Sequence, residues 1–227
     1  MKVEGAVEII FHFFNDLIGA LLPGIVLFFC MVMMHFGLGG VQKIVLFTDK
    51  GESMLVFIGL LFALGHTVLA FYQSIIKRVL SFHFKEVDKD GAQQKQPYIL
   101  FLEIVKDKFP KDKISSEYNF HDLRSIALSI SSEAASLGRR FMFISLLCNG
   151  MATVFIILLF DFILCLIFYP ELLYGYNFTL HWFLQIIILF IISYSLFKQG
   201  SSFYNRSMMV PFSVAIAEIK VKGIKGK

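Results

Sequence analysis

Four residues able to do polar chemistry stand inside long apolar runs of this chain: His66, Asp161, Gln185 and Ser193. A charge at the centre of a bilayer costs on the order of a few kcal/mol unless it faces protein or water, so such residues mark either a wet path or a satisfied pair. Asp161 fits a ring of carboxylates that would concentrate cations at a pore mouth, and it equally fits one structural pair with His181, a tyrosine or a backbone group. Counting about 20 residues, roughly 30 Å, along a helix from Phe141 sets it level with His35, the start of the second apolar run, His181 and Gln185. His66, between Gly65 and Thr67, falls near the middle of its run, where it suits a pore wall, a proton site or a hydrogen bond to a neighbouring helix. Gln185 and Ser193 are eight apart and so share a helix face, as a lumen or an interhelical hydrogen-bond stripe requires.

A second set is basic: Lys77, Arg78, Arg124, Arg139, Arg140 and Arg206. These residues either anchor the chain against anionic lipid or, gathered round a common axis by oligomerisation, bind the phosphates of a nucleotide or oligonucleotide. Enzymatic chemistry has no such support. The chain holds no G-x-x-x-x-G-K-[ST], G-x-S-x-G, H-E-x-x-H or C-x-x-C, and Cys30, Cys148 and Cys165 all fall in apolar runs, so neither a disulfide framework nor a zinc ribbon is indicated. The residue pattern implies no enzyme, no cofactor and no metal centre.

The elements that must position these groups follow from composition. The chain has 227 residues, 57% of them hydrophobic and 17% charged, with a mean hydropathy of +0.72. A chain this short cannot bury that excess in a water-soluble core, so its apolar surface must meet lipid. Four stretches reach the roughly 20 residues that a bilayer-spanning helix needs: Leu17 to Phe36, Met54 to Ile76, Phe141 to Tyr169 and Leu180 to Phe197. The spacing therefore predicts an all-α polytopic membrane protein with four transmembrane helices and a helical cytoplasmic region. Of the 21 Lys and Arg, 12 lie between Lys77 and Arg140 and 6 between Lys198 and Lys227. The positive-inside rule then sets both termini and the long loop in the cytoplasm of a cell whose inner (plasma) membrane holds the spans.

The chain divides accordingly into an amphipathic interfacial helix (1–16), spans one and two (17–76), a cytoplasmic helical region (77–140), spans three and four (141–198) and an amphipathic, basic tail (199–227). Within the loop, Lys85 to Gln96 reads as a polar linker, Pro97 opens a helix that Pro110 ends, and Asn119 is an N-cap. No proline interrupts the chain from Asn119 to Tyr169, which predicts one helix about 75 Å long, with Gly138 and Asn149-Gly150 as bending points. Pro23-Gly24 predicts a kink in the first span, and Gly59 and Gly65 allow close helix approach.

The run Asp16-Leu17-Ile18-Gly19-Ala20-Leu21-Leu22-Pro23-Gly24, then Gly65-His66 in the second span and a basic helical cytoplasmic region, resembles small bacterial four-span effectors of antiphage defence. The membrane channels of the Hailong system are the nearest named case. The resemblance covers the first two spans and the general layout, and it carries over no ligand-binding residue by motif. It implies a homo-oligomeric ion channel, held closed by single-stranded oligodeoxyadenylate from a partner nucleotidyltransferase, whose opening depolarises the membrane. Four helices filled by Phe and Leu leave no water-filled path in one chain, so a channel needs several copies, with four the candidate number. The competing readings are a non-conducting membrane scaffold or assembly partner and, third, a membrane enzyme.

Overall fold

Helix-forming apolar runs separated by short polar segments fold as the periodicity demands. A computed structural model describes residues 3–47, 51–80, 95–108, 119–175 and 180–225. Among these residues 96% are helical and none lies in a strand. The helices are α1 (Val3–Phe47), α2 (Gly51–Phe71), α3 (Lys77–Leu80), α4 (Gln96–Lys108), α5 (Phe120–Ile130), α6 (Ser132–Phe168) and α7 (Leu180–Lys225). A π turn, Tyr72–Ile76, joins α2 to α3, and a 3-10 turn, Pro170–Leu172, follows α6. Among the described residues, four helices are long and apolar enough to cross a membrane, over Leu17–Leu46, Gly51–Val79, Ser132–Phe168 and Phe183–Val221. The side chains of 1–16, most of the 85–96 linker, Pro110, the His181 side chain and the last lysines lie outside the described residues.

The chain forms two units, Met1–Phe82 with Leu146–Gly200 and His83–Ser145 with Ser201–Lys227. In the first, α1 and α2 cross where small residues let backbones meet. A Cβ on Gly24 would overlap the Leu61 carbonyl, and one on Gly65 would overlap the Ala20 carbonyl. Only glycine fits at either point. Below the crossing, Leu27, Val68, Val154 and Leu158 close the core. Helix α7 joins through Ser193, whose hydroxyl donates to the Ala152 carbonyl at 3.0 Å, and through Tyr72 stacked on Phe197. Gly59, by contrast, meets nothing within 4 Å of where a Cβ would stand among the described residues.

The second unit buries Phe101 of α4, Leu123 and Ala127 of α5, and Phe212 and Ala215 of α7 in one cluster. Asn119 caps α5 as its type suggests, accepting from the Asp122 amide at 2.9 Å. The single helix expected from Asn119 to Tyr169 is not formed. Ser131 adopts an extended conformation (φ −131°, ψ 119°) and separates α5 from α6. Its buried hydroxyl accepts from the Ala134 amide, so it serves as the N-cap of α6. Asn149 and Gly150 are packing positions inside the continuous α6. Asn149 lies against Gly200, and Gly150 faces Leu69 and Pro23. In α1 the non-helical residue is Gly37 (φ 63°, ψ −165°), fourteen positions beyond the Pro23 where the sequence suggested a kink.

Candidate functional site

Helix α2 and the start of the π turn that continues it carry two stripes at alternating steps of four and three. Leu61, Gly65, Val68 and Tyr72 are buried in the first unit, whereas Gly59, Ala63, His66, Ala70 and Gln73 are all exposed. The two stripes are offset by two residues, about 200° on a helical wheel, so the second points away from the chain's own bundle. His66 meets Phe62 of its own helix edge to face, at 4.4 Å between ring centroids. The adjacent Thr67 turns its hydroxyl back to the Ala63 carbonyl. These five positions are therefore small or polar over about four turns. Helix α7 exposes the opposite kind of surface: Phe183, Leu184, Ile187, Ile188, Phe190 and Ile191.

The other sequence-singled residues separate. Gln185 is exposed near the start of α7, but Ser193 is buried and spent on Ala152, so the two are not a common lumen face of one chain. Asp161 is paired. Its Oδ2 lies 2.9 Å from His35 Nε2, one of the residues that counting from Phe141 set at its level. The His35 ring is fixed at its other end by the Leu172 carbonyl, 3.0 Å from Nδ1, while the Tyr174 amide donates to the Met34 carbonyl at 3.0 Å. The turn after α6 is thus tied to α1 at Met34 and His35. Gly37 makes room for it, because a side chain there would meet the Tyr174 ring as well as an unfavourable positive φ.

In the second unit, the Arg124 guanidinium is half buried between α5, α6 and α7. One nitrogen donates to the Ser207 carbonyl at 3.3 Å, Nε has no hydrogen-bond partner among the described residues, and Gly138 is beside the guanidinium. Burial pushes the Arg124 pKa below its ordinary value, with Tyr204 partly offsetting this. Arg139 and Arg206 follow and precede Gly138 and Ser207 in the chain, and both are exposed rather than turned in toward Arg124. Arg206 also lies over the Phe203 ring at 5.5 Å. Arg140 is exposed in the same unit, whereas Lys77 and Arg78 belong to the first.

No family model, curated protein or solved structure matches this chain. The motif residues that resemble defence effectors have a local role: Ala20, Gly24 and Gly65 make the α1–α2 crossing. The α2 stripe was legible only as spacing. Reading His66 alone hid that Gly59, Ala63, Ala70 and Gln73 share its face.

Proposed function

We propose that the chain is a homo-oligomeric ion channel of the bacterial inner membrane, lined by the exposed face of α2 and gated through its second unit by an anionic nucleotide or single-stranded DNA. The observation that carries this reading is the Gly59–Ala63–His66–Ala70–Gln73 stripe. A histidine and a glutamine turned away from the bundle are costly in hydrocarbon but suited to a water-filled axis, and the small residues between them keep that axis open. The π turn at Tyr72–Ile76 ends the stripe. Such turns recur at functional sites, and this one gives α2 a place to change its register. Arg124, with an unpartnered Nε, and the exposed Arg139, Arg140 and Arg206 of the same unit supply positive charge for phosphate. A ligand bound there biases the pore only by differing in affinity for its open and closed states. An antiphage role, with opening that depolarises the cell, extends this reading through the resemblance of the first two spans.

The second reading is a non-conducting scaffold. It is favoured by the same stripe if Gly59, Ala63 and Ala70 pack copy against copy as a dry seam. Purified protein reconstituted in liposomes separates the two. Ion flux that short single-stranded DNA or nucleotides change supports the gated channel, and absence of flux from folded, oligomeric protein supports the scaffold.

A further inference from the structure

His35, Asp161 and Cys165 offer one imidazole nitrogen, one carboxylate oxygen and one sulfur, all within 4.8 Å of one another. We infer that these three side chains form a binding site for a divalent transition metal of the zinc class. Asp161 and Cys165 are four apart on α6 and so share a helix face, and His35 reaches them from α1. Around a tetrahedral ion with bonds of about 2.0–2.3 Å, donor atoms are separated by about 3.3–3.6 Å. His35 Nε2 is 2.9 Å from Asp161 Oδ2, Cys165 Sγ is 4.0 Å from the other carboxylate oxygen, Oδ1, and the donors all lie within 4.8 Å of one another, so side-chain movements of up to about 1 Å bring the set to ligating geometry.

A second observation concerns the ring's far side. A carbonyl can only accept, so His35 Nδ1 donates its hydrogen to Leu172 O. That leaves Nε2 facing a carboxylate oxygen at hydrogen-bond distance, and either a proton or a cation must lie between two such acceptors. Anchoring of a ligating histidine through its other nitrogen to a backbone carbonyl is the usual outer support of metal sites. The mixed N, O, S donor set suits zinc or cobalt(II) and is wrong for magnesium or calcium, which take oxygen ligands in larger number. Three protein donors leave a fourth position for water. The bound ion would fasten α1 at His35 to α6 beside the turn that Leu172 and Tyr174 already tie down.

The sequence concealed the site because its residues do not follow a short metal motif: 126 positions separate His35 from Asp161. The inference does not depend on conduction. It is tested on full-length protein in detergent, stripped with a chelator and titrated with cobalt(II), whose thiolate complex absorbs in the near ultraviolet. One cobalt per chain is expected, displaced by zinc, with the band lost in Cys165→Ser and Cys165→Ala but kept in Cys30→Ser and Cys148→Ser. Asp161→Asn and His35→Gln should each weaken binding at least about tenfold, and zinc should raise the melting temperature of the unsubstituted protein. Failure of the unsubstituted protein to take up cobalt, a band that survives removal of Cys165, or affinity unchanged in folded His35→Gln would each overturn the assignment.

Discussion

Replacing Gly65 by alanine adds one methyl group at the α1–α2 crossing, and its cost can be worked from the packing. The new Cβ would overlap the Ala20 carbonyl oxygen, lie 2.6 Å from its carbon and lie 3.2 Å from the Gly24 nitrogen. All three are backbone atoms, so no rotamer change relieves the clash. The helices must part by roughly 1 Å, a gap that forfeits a quarter to a half of the dispersion attraction along the seam. Overpacking of this kind costs about 3 kcal/mol at the top of its range, against about 1 kcal/mol gained from alanine's better helix propensity. The net loss is about 2 kcal/mol. Gly39→Ala is the control, because nothing lies within 4 Å of its Cβ position and only the propensity gain applies. The two variants should differ by about 3 kcal/mol, roughly 6–12 °C in melting temperature at about 2–4 °C per kcal/mol. Thermal unfolding in detergent micelles, followed by circular dichroism, reads the difference. Equal melting temperatures would refute the close crossing and with it the placement of the exposed stripe opposite.

Three other perturbations act on separate features. Ser131→Ala removes the hydroxyl that caps α6 and should destabilise the protein by about 1 kcal/mol, read as an earlier midpoint in chemical denaturation. Gly37→Ala meets both a positive φ and the Tyr174 ring, so it should speed hydrogen exchange at the Tyr174 amide while leaving exchange in α4 and α5 unchanged. Charge reversal at Arg139 and Arg140 should weaken binding of short single-stranded DNA and flatten its dependence on the logarithm of salt concentration by about 0.7 per lost phosphate contact. Unchanged affinity and slope would leave those arginines as membrane anchors.

The four long apolar helices were legible because runs of Leu, Ile and Phe can form little else, and the match in level between Asp161 and His35 followed from helical rise. The pair itself did not, since pairing across α1 and α6 depends on how helices rotate about their axes. The break at Ser131 was also present in the sequence, as Ser131-Ser132-Glu133 carries the residue types of a helix start. It was outweighed by an uninterrupted apolar period that both α5 and α6 keep. Gly37 was hidden for a different reason. Only the ring of Tyr174, far away in the chain, makes a positive φ there useful. The stripe on α2 could have been found from spacing, but that it is exposed required knowing which stripe the bundle buries.

The most direct test of the channel reading is current through reconstituted protein carrying His66→Cys in a background without its other cysteines, before and after a charged, water-soluble thiol reagent. A conducting axis lined by α2 requires that the reagent block the current, and that Ile188→Cys on the apolar face of α7 be insensitive. Current that persists after complete modification at position 66, or no current at all from folded oligomers, would contradict it.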